Sequence, residues 1–226
     1  MQNIDIVKKI DIDNTYRVSR VMADFDVKTE HLKREYHLQL ELPKEWQIGL
    51  ICGGSGTGKT TLANEIFKDW IENKTEFQSK SVIDDMPKSA TMDEIEKMFY
   101  AVGFGSVPCW LKPYSVLSNG EQMRVQLAYK LLSSDNVLFD EFTSVVDRNV
   151  AKTLCTALNK SLKHYPNKKF VAVSCHKDII EYLQPSWIFD TDTMQLSFRV
   201  AQDQNKRTPS ENANEVLGQN LGNITI

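Results

Sequence analysis

The sequence predicts an α/β fold around a mainly parallel sheet, and three observations lead there. From residue 47 onward, short apolar runs alternate with stretches of helical spacing. The first of these runs, residues 47–52, ends in a glycine-rich turn that leads straight into a helical pattern. Ahead of it, residues 5–42 alternate apolar and polar side chains, as in His37-Leu38-Gln39-Leu40-Glu41-Leu42, which predicts flanking antiparallel strands.

The remaining elements follow in chain order. Thr60 to about Trp70 reads as a helix, and Ser81-Val82-Ile83 as a short strand. Thr91-Met92-Asp93-Glu94 is a capping box that opens a helix running to about Val102. Residues 103–116, rich in Gly and Pro, read as a loop. A helix over about Glu121–Leu132 precedes a strand at Val137–Phe139. Val150, Leu154, Leu158 and Leu162 recur at helical spacing and predict one buried face. Phe170–Val173 and Trp187-Ile188-Phe189 complete the strands. One composite domain is expected over residues 1–202, followed by a flexible polar tail, 203–226.

Composition narrows the classes. The 226 residues are 41% hydrophobic and 25% charged, with a net charge of -3, which excludes collagen-like and wholly disordered chains. A chain built mainly to coat nucleic acid would be basic. Lys160, Lys163, His164, Lys168 and Lys169 cluster near one helix end; they read as a solvated face, with nucleic-acid binding as the alternative. Cys52, Cys109, Cys155 and Cys175 form no CxxC pair and read as reduced thiols, in keeping with a cytoplasmic protein. With no apolar run of about 18 residues and no signal-peptide core, a soluble chain without direct membrane insertion is expected.

The chemistry concentrates in Gly53-Gly54-Ser55-Gly56-Thr57-Gly58-Lys59-Thr60, which fits G-x-x-x-x-G-K-[ST] between a strand and a helix. Glycines let backbone N–H groups face phosphates, and the helix start adds its positive dipole end. Lys59 suits the β- and γ-phosphates and the Thr60 hydroxyl suits Mg²⁺. Gly53 through Thr61 is therefore the expected nucleotide-binding stretch.

Three later segments sharpen this. They are Leu117-Ser118-Asn119-Gly120-Glu121 before a helix, Val137-Leu138-Phe139-Asp140-Glu141 followed by Ser144-Val145-Val146-Asp147, and Ser174-Cys175-His176 after a strand. In this order, over about residues 15–195, the set resembles ATP-binding cassette (ABC) ATPases. The resemblance implies a P-loop NTPase fold with a short helical subdomain, ATP and Mg²⁺ as cofactors, and an ATP-dependent homodimer. It implies that Asp140 holds Mg²⁺ directly or through water, that Glu141 polarises the attacking water and that His176 contacts the γ-phosphate. Ser118 and the Gly120 backbone would meet the γ-phosphate bound to the other subunit, and Asp147 would cross the interface.

Several positions depart from the family pattern. Asn119 stands where transporter ATPases carry Gly, Glu121 where they often carry Gln, and Phe142 where Pro is usual. The Q-loop glutamine is missing after Ile83, where Asp84 and Asp85 stand instead; Asp84 is the first candidate to take its place near Mg²⁺. For the aromatic that stacks on adenine, Phe25 is the first candidate and Tyr16 the second. The stretch Trp110-Leu111-Lys112-Pro113-Tyr114-Ser115-Val116 is similar to a soluble, non-transporter branch, some of whose members are fused to an acetyltransferase-like domain. This chain has no room for that domain, so the activity would lie in a separate partner. The expected function is ATP hydrolysis that drives a partner process. The alternatives are the nucleotide-binding subunit of a membrane transporter and an ATP-gated interaction module with little turnover.

Overall fold

The computed structural model describes residues 2–9, 12–28, 33–70 and 75–199. The tail, 203–226, lies outside them. The chain forms two compact units that meet in sequence between Leu42 and Pro43.

The first unit contains strand β1 (Gln2–Lys9), helix α1 (Tyr16–Asp24) and strand β2 (Lys33–Leu40). The two strands pair antiparallel, Gln2 opposite Leu40 and Lys9 opposite Lys33, as the alternation predicted. Between them the prediction of strand fails, because residues 16–24 are helical. Thr15 starts the helix, its hydroxyl accepting from Val18 N at 3.3 Å. Arg20 pairs with Asp24 one turn on, at 3.3 Å. Tyr16 and Phe25 therefore belong to a helix and its end rather than to a strand, and both are exposed (77% and 75%).

The second unit is built on a five-stranded sheet in the order β4-β5-β3-β6-β7. Its strands are β3 (Ile48–Cys52), β4 (Asn136–Phe139), β5 (Lys169–Ser174), β6 (Trp187–Asp190) and β7 (Gln195–Phe198). The first four run parallel and β7 is antiparallel to β6. Strand β3, fully buried, is flanked by β5 and β6, so its apolar run covers both sheet faces. Gly49 is required there: a Cβ would lie 2.0 Å from a Trp187 ring atom. Trp187 joins Trp46, Phe67 and Trp70 in an aromatic cluster, with centroids 4.8 to 6.4 Å apart.

Helix α2 (Lys59–Ile66) follows β3 and ends earlier than predicted, with residues 68–70 in a 3-10 turn. Residues 81–86 form turns rather than the expected strand. Val82 N donates to Lys112 O and Ile83 N to Trp110 O, so this segment is tied to the helical region and not to the sheet. Asp85 organises it, accepting from the amides of Gln78 and Ser79 at 3.2 and 3.0 Å.

The helical region contains α3 (Met92–Ala101), α4 (Val107–Trp110) and α5 (Asn119–Ser133). Thr91 and Glu94 close the predicted capping box. The expected loop at 103–116 contains α4 and a 3-10 turn at 114–116. It is anchored by Trp110, whose indole N–H donates to Phe104 O at 2.7 Å while its ring packs on Phe99. Helix α6 (Arg148–Leu162) buries Ala151, Leu154, Cys155, Leu158 and Leu162. Val150, expected on this face, is 38% exposed; its neighbour Ala151 takes the core position. Helix α7 (Ile180–Leu183) leads into β6. No helix among the described residues is long and apolar enough to cross a membrane.

Candidate functional site

Three chain segments leave the C-terminal end of the parallel sheet side by side. Cys52 pairs with Ser174 at the ends of β3 and β5, and Phe139 pairs with Ala172 on β4 and β5. The loop after β3 therefore emerges beside the one holding His176, which in turn lies beside Asp140-Glu141. The C-terminal strand ends are where open α/β sheets hold ligands.

The loop after β3 owes its shape to glycine. Gly53, Gly56 and Gly58 have φ of 148°, 78° and 92°, values that side-chain-bearing residues rarely adopt. At Gly53 a Cβ would also lie 2.2 Å from Thr191 Oγ1. Lys59, the first residue of α2, is buried, and its ammonium donates to Gly54 O at 2.6 Å. A loop of left-handed glycines, a lysine folded over it and a helix N-terminus behind it fit a polyphosphate. Thr60 and Thr61 follow in the first turn of α2.

The acidic loop after β4 bends differently. Glu141 and Thr143 hold φ of 52° and 67°, left-handed values on residues that have side chains. Glu141 N donates to Asp140 Oδ1 at 2.8 Å, and Ser144 Oγ donates back to Glu141 O at 2.8 Å. Both carboxylates are exposed. Phe142 explains its departure from the family pattern: its N–H donates to Val173 O at 2.8 Å, a bond proline cannot make. Its fully buried ring packs edge-on against Phe139 and Phe170. Thr143 is buried with no partner for Oγ1 among the described residues, so loop strain and this hydroxyl coincide beside the two acids.

His176 follows β5, its N–H donating to Ser174 Oγ at 3.1 Å. Its Nδ1 is buried without a partner among the described residues. Burial pushes the imidazole pKa below its ordinary value and Arg148 adds to this, while Asp178 and Glu141 act the other way. Arg148 Nε donates to Asp178 Oδ2 at 3.1 Å, which ties the His176 loop to the start of α6. Asp147 caps that helix, accepting from Asn149 N at 2.8 Å.

Ser118 caps α5. Its N–H and Oγ donate to Glu121 Oε2 at 2.9 and 2.8 Å, and Cys109 Sγ reaches the other carboxylate oxygen at 3.4 Å. These bonds, the Ser118 hydroxyl first, hold the Glu121 carboxyl below its ordinary pKa. Glu121 is thus the third-position partner of a capping box, which explains an acid at that place. Gly120 rests against the segment preceding α6: a Cβ would lie 3.0 Å from Val146 Cγ1.

The acids expected near Mg²⁺ at Asp84 and Asp85 have local partners. The Asp84 carboxylate accepts from Ser81 Oγ and its backbone carbonyl from Lys88 Nζ, while Asp85 staples the turn. No cluster of three or more His, Cys, Asp or Glu side chains with metal-holding geometry occurs among the described residues. Cys52, Cys109 and Cys155 are buried free thiols and Cys175 is exposed; burial pushes the Cys52 and Cys155 thiols up to about 11 and about 12.

Sequence reasoning missed Thr191, Asp192 and Lys177. Asp192 Oδ1 accepts from Gly54 N at 2.8 Å, and Thr191 Oγ1 lies 2.6 Å from Thr57 Oγ1. Lys177 joins Asp192 to Asp190.

No protein-family model matches this sequence. Solved structures do share its fold. The dimeric bacterial ABC transporter cassette MJ0796 superposes with a TM-score of 0.50 at 16% identity, over 70% of this chain and 87% of that one. CbiO1 of Clostridium perfringens, part of the ABC transporter complex CbiONQ, gives 0.51 at 16% identity, over 69% and 76%. The fold is the P-loop ABC-cassette type that the motifs implied.

Proposed function

We propose that the chain binds and hydrolyses ATP as an ABC-type ATPase, two copies closing around nucleotide to drive a partner process. The observation that supports this best is the convergence of the glycine loop, Asp140-Glu141 and His176 on the C-terminal ends of β3, β4 and β5. Phosphoryl transfer needs positioned charge at one place more than it needs covalent chemistry.

The chain's own groups divide the work. Lys59 leaves Gly54 O and donates to the β- and γ-phosphates, beside the amides of the glycine loop. The Thr60 hydroxyl and Asp140 would hold Mg²⁺, which when bound neutralises phosphate charge. Glu141 polarises the attacking water through its exposed carboxylate. His176, whose pKa burial holds below its ordinary value in the nucleotide-free chain, presents an N–H to the γ-phosphate. Ser118 turns its hydroxyl from Glu121 to the phosphate of the opposite subunit, beside the Gly120 backbone, and Asp147 meets that subunit. Phe25 is the first candidate to stack on adenine. Asp84, which accepts from Ser81 in the nucleotide-free chain, would be the further residue to hold Mg²⁺, and Asp84→Ala should then slow phosphate release about 10²-fold. Wild-type turnover in that variant leaves Asp84 as a turn residue.

The chain would act in the cytoplasm on a protein partner, for which an acetyltransferase-like protein is the candidate. The transporter-subunit reading draws support from MJ0796 and CbiO1, both transporter cassettes. The deciding experiment is Glu141→Gln. With Mg-ATP it should sediment as a dimer and without nucleotide as a monomer, while wild type turns over at least about 10²-fold faster. A monomer at saturating ATP removes the dimer reading, and a wild type without turnover leaves the interaction-module alternative.

A further inference from the structure

We propose that the turn between β6 and β7 is a brace for the phosphate loop, with Thr191 and Asp192 as positioning residues and Lys177 as the tie that connects this brace to the His176 loop. The proposal rests on the reading of Gly53–Thr60 as an ATP site.

The contacts come from every level of the turn. Thr191 N and Oγ1 both reach Cys52 O, at 2.8 and 3.1 Å, and so fix the last strand residue before the loop. Thr191 Oγ1 occupies the space a Cβ on Gly53 would need and lies 2.6 Å from Thr57 Oγ1 on the loop's far limb. Asp192 Oδ1 accepts from Gly54 N at 2.8 Å. Thr57 Oγ1 and Lys59 Nζ lie 2.9 and 2.6 Å from Gly54 O, so both polar groups of the Gly54 backbone are held. The turn itself is fixed by Asp192 N donating to Asp190 Oδ1 at 2.9 Å.

A carboxylate beside an anion site opposes a polyphosphate unless a cation offsets it. Lys177 offsets part of that charge, 3.0 Å from Asp192 Oδ2 and 2.7 Å from Asp190 Oδ2, one cation shared by two carboxylates. Its place in sequence directly after His176 makes the ion pair a mechanical link: the loop that meets the γ-phosphate and the loop that cradles the chain of phosphates share one anchor. On this proposal the Gly54 amide, which donates to Asp192, is the one member of the expected Gly53–Thr61 stretch that supplies no donor to phosphate. Its role is to hold the loop's entry at a fixed place.

The test compares two variants of equal charge. Asp192→Asn keeps an oxygen for Gly54 N; Asp192→Ala does not. Removing the negative charge favours nucleotide equally in both, so Asn should bind ATP at least as tightly as wild type and Ala about tenfold more weakly than Asn. In the nucleotide-free proteins, hydrogen exchange at the Gly54 amide should be about tenfold faster in Ala than in Asn. Lys177→Gln, which leaves the Asp192 charge without its cation, should weaken ATP binding relative to wild type. Equal exchange in Asn and Ala overturns the brace, whatever happens with ATP. Unequal exchange with equal ATP affinity overturns its positioning role. A wild type that binds no ATP overturns the site reading instead, and the exchange comparison still decides the brace.

Discussion

The phosphate loop and the acidic loop leave the same end of one sheet, yet they reach left-handed backbone by opposite means. The first does so with Gly53, Gly56 and Gly58, the second with Glu141 and Thr143. Where the backbone amide is the working group, a Cβ is only an obstruction, and glycine takes the turn without strain. Where a carboxylate is the working group, its side chain must stay, and the loop carries strain of about 1–2 kcal/mol per such residue. The burial of Phe142 between the two strained residues, and its bond to Val173 O, hold that strain in place.

The contrast can be broken most forcefully at Lys59, the side chain the glycine loop does use. Lys59→Ala should weaken ATP binding by about 10²–10³-fold, the loss of a buried cation from a hydrogen-bonded charge pair, read by equilibrium titration. Unchanged affinity would sink the phosphate-loop assignment. Next come reciprocal swaps. Gly53→Ala places a Cβ against Thr191 in forbidden backbone and should destabilise the fold by about 3 kcal/mol. Glu141→Gly should do the reverse, raising stability by about 1 kcal/mol while turnover is lost. Chemical denaturation measures both, and a destabilised Glu141→Gly would show that its left-handed backbone stores no strain.

The smallest effect concerns pH. The folded pKa of His176 lies below its ordinary value of 6.5. As pH falls below 6.5 the unfolded chain takes up a proton that the folded chain refuses, so stability declines; above 6.5 the contribution is fully present. His176→Gln should flatten the decline in denaturation midpoint as pH falls below 6.5. An unaltered slope would mean that another group sets it.

These loops also show what a sequence discloses. The glycine loop was readable because its conformation is dictated locally, residue by residue. Asp140, Glu141 and His176 stand out in the sequence only through the ordered resemblance that includes them; the strand register brings their loops to one end of the sheet. Ser81-Val82-Ile83 was misread because two adjacent β-branched residues satisfy a strand pattern, while the contacts that decide it lie at Trp110 and Lys112. Helix α1 was hidden inside a longer stretch of strand-like alternation, although Val18, Val21 and Met22 recur at i, i+3 and i+4 and Thr15 carries a cap signal. Val150 and Ala151 exchanged places because spacing alone does not fix the centre of a buried face. Asp192 was invisible: an acid in a surface turn is common, and its partner Gly54 lies 138 residues away.

Three of the four tryptophans gather at the foot of this machinery. Trp46 precedes β3, Trp70 closes the turn after α2, and Trp187 lies over Gly49 within β3. Phe67, directly after α2, touches all three. The phosphate loop joins β3 to α2, so a tilt of that helix on nucleotide contact would change the overlap of these rings, and with it the ultraviolet emission of the cluster.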